Sequence, residues 1–208
     1  WQSAVDAFAS LQRGGTAPDV AAFNALLSAL ARGAQWGRAL ELLAGMRRRG
    51  PRPNVVTHTS AISACARARQ GARAFAVYEE LLEQGLHANT ITYSALISLC
   101  EREQRWEQAL ALLDHMWQTA IPMDVVVCNS AMGACSAGRQ WARALGLLGF
   151  LRGRGLLPSV VTYGTLITAC EKGQQTERAM VLLRHARLAD LQLDVIACNA
   201  AISACEKA

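Results

Sequence analysis

The chain has 208 residues, of which 52% are hydrophobic and 18% are charged, and its formal net charge is +5. A chain this apolar can bury enough surface to fold, which excludes an intrinsically disordered protein. Long stretches of low charge such as 119–137 are interrupted by Pro122, Asp124 and Asn129, which excludes a membrane-spanning helix. The positive charge is compatible with a nucleic-acid partner but does not establish one.

The sequence repeats itself every 35 residues, as five of its cysteines show most directly: Cys65, Cys100, Cys135, Cys170 and Cys205. We number the complete repeats 1 to 5, and they cover 20–54, 55–89, 90–124, 125–159 and 160–194. A half repeat precedes them at 1–19 and another follows at 195–208. We predict one array of repeats over 1–208. The match has no gaps, so these residues hold no inserted catalytic domain or linker.

Each repeat contains two stretches in which apolar residues recur at helical spacing. In chain order, the clearest of these predict helices over 90–102, 105–118, 125–137, 140–152, 160–172 and 175–188. One helical pair cannot bury its apolar face alone, whereas stacked pairs can. The predicted fold class is therefore all-α, a right-handed α-solenoid superhelix of stacked helical hairpins with five full repeats and a half repeat at each end.

The residues at the repeat boundaries agree with this assignment. Short polar residues close several repeats, where they are expected to cap the next helix: Asp19, Asp124, Ser159 and Asp194. Glycines follow several second helices, where a left-handed cap is expected: Gly50, Gly85 and Gly155.

Two further columns are interpreted as packing residues. The tryptophans Trp1, Trp36, Trp106 and Trp141 share one position early in the second helix, which favours packing between helices over a stacking platform for bases. The cysteines are interpreted as small, buried and reduced. Cys128 and Cys135 stand seven residues apart on one predicted helix, which is too far for a disulfide. No Cys-x-x-Cys occurs, so no metal site is predicted.

Motifs of the common enzyme classes are missing from the sequence. It contains no glycine-rich phosphate loop, no Gly-x-Ser-x-Gly and no His-Glu-x-x-His, and its four histidines are scattered. We predict that the chain is not an enzyme and has no catalytic residues, no cofactor and no small-molecule substrate.

The pattern within each repeat resembles the pentatricopeptide repeat family, and most closely its class of purely 35-residue repeats. The resemblance rests on Val-Val-Thr-Tyr-x-x-Leu-Ile-x-x-Cys at 160–170, Ala-Leu-x-Leu-Leu-x-x-Met at 109–116 and Ala-Pro-Asp at 17–19. The related 34-residue repeat is one residue shorter and has an aromatic signature that does not fit. The family resemblance implies binding of single-stranded RNA, with one base to each repeat.

In this family the fifth and last residues of a repeat hydrogen-bond to the edge of one base, and we call them a reading pair. The reading pairs implied here are Asn24 with Asn54, Thr59 with Asn89, Ser94 with Asp124, Asn129 with Ser159, and Gly164 with Asp194; Asn199 begins a sixth pair. The family's pairing rules imply an RNA 5′-YAGC(G?)Y-3′, in which Gly164 departs from the pattern because it has no side chain. An alternative role for these residues is helix capping, which explains the fifth-residue column poorly.

Two supporting columns follow from the same resemblance. The second residue of a repeat sandwiches the bases in this family, and here that column holds Ala21, Val56, Ile91, Val126, Val161 and Ile196. Ordinary helix packing is the alternative. The thirteenth residue is a candidate phosphate contact and holds Arg32, Arg67, Arg102, Lys172 and Lys207, with Ala137 as the exception. The alternative is a cation that stabilises its helix C-terminus.

Two functions from different classes remain open at this stage. The first is an RNA-binding module in an organelle, a mitochondrion or a plastid, that acts in transcript processing, stability or translation. The second is a protein scaffold, a structural subunit of a large organellar assembly such as a ribosome or an energy-converting complex. Four successive pairs able to read bases favour the first function, and Gly164 slightly favours the second.

Overall fold

The structure, a computed structural model, describes residues 1–13 and 18–206, except for the side chain of Arg49. These residues form twelve α-helices and no strand, which confirms the all-α class. The helices are α1 Gln2–Arg13, α2 Val20–Arg32, α3 Trp36–Arg49, α4 Val55–Arg67, α5 Gly71–Glu83, α6 Thr90–Arg102, α7 Trp106–Gln118, α8 Val125–Ala137, α9 Trp141–Gly153, α10 Val160–Lys172, α11 Thr176–Leu188 and α12 Val195–Glu206. None of the helices in the described ranges is long and apolar enough to cross a membrane.

The first helix of every repeat begins at the first residue of the repeat. The bounds of α6, α8 and α10 are those predicted from the sequence, and the second helices α7, α9 and α11 begin one residue later than predicted. The predicted helical hairpins are therefore confirmed.

The polar residues that close the repeats cap the helices that follow, as predicted. The side chains of Asp19, Asp124 and Asp194 each accept a hydrogen bond of 2.8 Å from the backbone N–H three residues later. Asn54 and Ser159 form reciprocal capping boxes with the threonine three residues on.

The prediction for the glycine column is confirmed at Gly85 and Gly155, which have φ values of 69° and 70°. It is wrong at Gly50, whose φ is −113° and whose backbone is extended. Pro51 follows Gly50, and the residue before a proline is pushed toward extended conformations, so α3 ends without a left-handed cap.

The chain divides into two compact bodies, Trp1–Leu99 and Cys100–Ala208, with the boundary inside α6. In the N-terminal body α2 packs against α4, and α4 packs against α5. In the C-terminal body α8 packs against α10, and α10 packs against α11 and α12. Fully buried side chains such as Leu27 and Ile62, or Met132 and Ile167, form the cores between these helices. That the two bodies continue one right-handed array stays a prediction.

The tryptophans pack between helices, as the sequence predicts. The indole rings of Trp106 and Trp141 lie against Gly138 and Gly173, where an added Cβ would overlap with Cδ1. An arginine from the following repeat stacks on each ring, with Arg143 4.8 Å from the centroid of Trp106 and Arg178 4.4 Å from that of Trp141. The arginine stacking recurs in the N-terminal body, where Arg38 stacks on Trp1 and Arg73 on Trp36.

The cysteines are free thiols, and those that are buried are Cys65, Cys100, Cys128, Cys135 and Cys170. Burial raises the pKa of each of these thiols from 9.0 to about 11. Cys198 and Cys205 are exposed, contrary to the prediction, because α12 packs on α10 and α11 alone among the described helices. No group of three His, Cys, Asp or Glu side chains in the described ranges is arranged to hold a metal ion.

Candidate nucleic-acid interface

The second-residue column is exposed to solvent along its whole described length. Val126 is 65% exposed and Val161 is 62% exposed, and Ala21, Val56, Ile91 and Ile196 are exposed as well. Ordinary helix packing would bury these side chains, so that alternative does not account for the column. Aliphatic side chains that stay in water are free to contact a ligand.

In the N-terminal body, the columns singled out by the sequence line one cavity of about 270 Å³. Val56 and Ile91, which are the second residues of repeats 2 and 3, lie on its wall together with the reading pair Thr59 and Asn89. Arg67, the thirteenth residue of repeat 2, lies there as well. With Arg32, which also lines the cavity, an apolar pair, a polar pair and two cations are thus brought together at one place.

A cavity of about 420 Å³ in the C-terminal body repeats this arrangement. Val161 and Ile196 line it with the pair Gly164 and Asp194, and Lys172 supplies the cation. Gly164 contributes no side chain, which leaves more open space beside Asp194. A Cβ added at Gly164 would meet the Cβ of Ala197 at 3.6 Å, an ordinary van der Waals contact, so a side chain would fit here.

The pair Asn24 and Asn54 is joined by the hydroxyl of Thr57. Oγ1 of Thr57 lies 2.8 Å from Oδ1 of Asn24 and 3.0 Å from Oδ1 of Asn54. It also accepts a hydrogen bond of 3.1 Å from the N–H of Asn54. Both members of the pair are therefore held by one side chain of the next repeat.

The pair Asn129 and Ser159 is joined in the same way by Thr162. Its hydroxyl donates to Oδ1 of Asn129 at 2.8 Å and accepts from the N–H of Ser159 at 3.0 Å. Nδ2 of Asn129 lies 3.5 Å from Oγ of Ser159, so the two reading residues are adjacent.

In the pair Thr59 and Asn89, the linking side chain is Thr92. The hydroxyl oxygens of Thr59 and Thr92 are 2.7 Å apart, and Thr92 donates to Oδ1 of Asn89 at 2.9 Å. Thr59 is buried apart from its edge on the cavity, whereas Asn89 is half-buried.

Three reading residues have no pair partner within the same compact body, namely Ser94, Asp124 and Asn199. Ser94 is half-buried and donates its hydroxyl to the carbonyl oxygen of Thr90 at 2.8 Å. Asp124 is exposed and caps α8, and Asn199 is exposed on α12. Asp124 and Asn199 thus present a polar side chain to solvent, whereas the hydroxyl of Ser94 is bonded to its own helix.

The described cations of the thirteenth-residue column are all exposed: Arg32, Arg67, Arg102 and Lys172. Lys207 lies outside the described residues. Ala137 replaces the cation in repeat 4, and it lines the cavity of the C-terminal body together with Glu101. Burial raises the pKa of the Glu101 carboxyl, an effect opposed by a hydrogen bond with Ser130 and by the charge of Arg102.

Sequence reasoning missed two features of this surface. The threonines at the third residue of a repeat, Thr57, Thr92 and Thr162, link the reading pairs, and the signal for them is a polar residue recurring inside an otherwise apolar helix face. Glu101 was missed although a signal for it exists, since Glu171 and Glu206 stand at the same position of their repeats; Ala31, Ala66 and Ser136 interrupt that column.

Two family models match the chain. The one described as the PPR repeat family matches residues 18–67, and the one described as the pentacotripeptide-repeat region of PRORP matches residues 44–208. No curated protein sequence matches the chain.

Solved structures of similar fold cover the whole chain. The structure of the pentatricopeptide repeat protein PPR10 from maize is 28% identical over 99% of the chain, with a TM-score of 0.72. PPR10 in complex with an 18-nt psaJ RNA element is 26% identical over 100% of the chain, with a TM-score of 0.81. This chain spans 30% of the length of PPR10.

A more distant structure agrees in fold. The PPR domain of Arabidopsis thaliana protein-only RNase P 1, in complex with tRNA, is 14% identical over 90% of the chain and 98% of that domain, with a TM-score of 0.78. At this identity the likeness shows the fold alone, which is a helical-repeat solenoid.

Proposed function

The chain belongs to the pentatricopeptide repeat family, and we propose that it binds single-stranded RNA through successive repeats, with one base held by each reading pair. The observation that carries the proposal is the composition of the two cavities. Each collects aliphatic second residues from consecutive repeats, a reading pair and a cation. These groups match the parts of one nucleotide: an apolar contact for the faces of its base, hydrogen-bonding groups for the edge of its base and a positive charge for its phosphate.

The RNA complex of PPR10 supports an RNA ligand, because that protein is 26% identical to the chain and shares its fold. The order of the reading pairs implies the RNA sequence 5′-YAGC(G?)Y-3′. Gly164 makes the fifth base the least selective, since only Asp194 has a side chain there and one of its oxygens already accepts the N–H of Ala197.

We further propose that the chain acts in organellar RNA processing, stability or translation without being an enzyme itself. The comparisons include both an RNA complex of PPR10 and a family model described as the repeat region of PRORP, and no histidine is among the described residues that line the two cavities.

The test is binding to a fluorescent RNA containing 5′-CAGCGU-3′, compared with an RNA of the same composition in scrambled order, over a series of salt concentrations. Clear preference for the first RNA is the expected result. Equal binding that falls steeply with salt would indicate only a basic surface that meets phosphate. Absence of binding at about 100 mM salt would overturn the proposal and favour a protein scaffold.

A further inference from the structure

A fully buried threonine contacts each of the three reading pairs that lie within a single body and have two side chains. These threonines are Thr57, Thr92 and Thr162, the third residues of repeats 2, 3 and 5. Each hydroxyl touches both members of the pair that belongs to the preceding repeat. A hydroxyl has one hydrogen to donate, so its position decides which atoms of the pair remain free.

At Asn129 the free atoms are donors. Thr162 donates to Oδ1 of Asn129 at 2.8 Å, and this contact turns Nδ2 toward Ser159, to whose Oγ it donates one hydrogen at 3.5 Å. An asparagine amide without such a contact can turn over and offer either an acceptor or a donor. Fixed in this way, Asn129 offers its second N–H to a base acceptor, such as the O2 or N3 atom of cytosine.

At Thr59 the same logic gives a different pattern. Thr92 gives its hydrogen to Oδ1 of Asn89 at 2.9 Å, so Thr59 donates to Thr92 and keeps a free lone pair. Asn89 keeps its Nδ2 hydrogens free. One acceptor beside one donor matches the N6 amino group and the N1 atom of adenine.

Two reading pairs are followed by a repeat that lacks this threonine, and neither has a fifth residue whose side chain such a hydroxyl would orient. The third residue is Val127 after Asp124 and Ala197 after Asp194, and neither has a hydroxyl. The fifth residues of the corresponding pairs are Ser94, which donates to its own helix, and Gly164, which has no side chain.

We propose that Thr57, Thr92 and Thr162 are specificity-determining positioning residues, which fix the hydrogen-bonding face that each reading pair turns to its base. This inference rests on the proposed function. It adds a third side chain to each reading pair, one that touches the pair and is buried away from the RNA.

The experiment replaces Thr162 with valine, which keeps the shape and removes the hydroxyl, and with serine, which keeps the hydroxyl. Valine is accepted at this position of the repeat, since the chain has Val127 there and buries it. Affinities are measured for four RNAs that differ only at the fourth base of 5′-CAGCGU-3′, and for four that differ only at the second base.

The wild type and Thr162→Ser are expected to prefer cytosine at the fourth base. In Thr162→Val that preference should fall about tenfold, the discrimination supplied by one good hydrogen-bonding pair. Preference at the second base, which Thr59 and Asn89 determine, should be the same in all three proteins. Because Thr162 also completes the cap on Ser159, a drop in unfolding temperature alone does not support the proposal.

Three results would overturn the inference. Unchanged cytosine preference in Thr162→Val would leave the proposed function standing and remove the role of Thr162. Equal loss of preference at both bases would reveal a general structural effect. A wild type that binds RNA without preference at either base would overturn the proposed function, and the inference with it.

Discussion

Trp141 packs its indole ring against the backbone of Gly173, and the guanidinium of Arg178 stacks on the same ring, 4.4 Å from its centroid. The glycine of repeat 5 thus accommodates a tryptophan of repeat 4. Gly173 has a φ of −88°, which any residue adopts, so close approach of the ring is what requires glycine here.

We expect Gly173→Ala to destabilise the protein by about 1–3 kcal/mol, since the added methyl overpacks this contact. The matched control is Gly149→Ala, in the exposed part of α9 with nothing within 4 Å of the new Cβ. The control should be stabilising by about 0.5–1 kcal/mol, because alanine favours helix. Urea unfolding of both variants measures the difference, and equal effects would show that the ring yields freely.

The buried thiols should lower the free energy of unfolding at alkaline pH. Their pKa values rise from 9.0 to about 11 in the folded chain, so folding favours the neutral thiol. Their contribution to stability is complete below pH 9 and is lost as the pH rises toward 11. Unfolding free energies measured from pH 7 to 11 should fall above pH 9, and less steeply in Cys170→Ala.

The same burial controls thiol reactivity. At pH 8 a thiol-specific reagent should modify the exposed Cys198 and Cys205 quickly and the buried cysteines slowly, because burial raises the pKa of thiols such as Cys65 to about 11 and leaves only about one in a thousand of them as the reactive thiolate. Mass spectrometry after brief labelling identifies the modified residues. Rapid labelling of Cys65 or Cys135 would contradict the packing of α4 and α8.

The exposed valines should serve RNA binding and not folding. The double variant Val126→Ser, Val161→Ser is expected to bind RNA about tenfold more weakly, since each valine buries apolar surface against a base. Its unfolding temperature should change little. The control changes two apolar residues outside the reading columns, Leu157→Ser and Leu188→Ser, which are 83% and 79% exposed. If both double variants bind alike, the second-residue column is not the base contact.

The cations of the thirteenth-residue column should determine the salt dependence of binding. The variant Arg67→Gln, Lys172→Gln should reduce the slope of log K against log salt by about 1.4, the value for two phosphate contacts on a single strand. A variant of equal charge, Arg48→Gln, Arg184→Gln, should keep the slope of the wild type. Equal slopes in the two variants would show that net charge alone attracts the RNA.

A reading pair should remain functional when it is moved to another repeat. Asn129→Thr with Ser159→Asn places the pair of repeat 2 into repeat 4, where Thr162 corresponds to Thr92. The fourth base should then change from cytosine to adenine, with about tenfold preference. Affinities for the four RNAs that differ at this base test the change. If the variant still prefers cytosine, the surrounding repeat and not the reading pair determines which base is bound.

The start of each first helix and the caps at Asp19 and Asp124 were predictable from sequence, because each depends on residues within a few positions of one another. The repeat period was predictable because the same residue types recur at a constant interval without gaps. The link from Thr57 to Asn24 was not, since it joins residues 33 positions apart through the packing of α4 on α2. The left-handed turn at Ala34 was not predictable either, because such a turn usually has glycine. Ala34 has a φ of 51°, and the N–H of Gln35 donates to the carbonyl oxygen of Leu30.

The last residue of a repeat caps the helix that follows, as Asn54, Ser159 and Asp194 do, and under the proposed function the same residue also contacts a base. At this last position, a new base preference would therefore be limited to side chains that also cap helices well, namely Asn, Asp, Ser and Thr. Exchanges within this small set cost little folding energy. Under the proposed function, the RNA sequence bound by such a chain could change during evolution while the fold is retained. The side chains available for that change at this position are those that cap a helix.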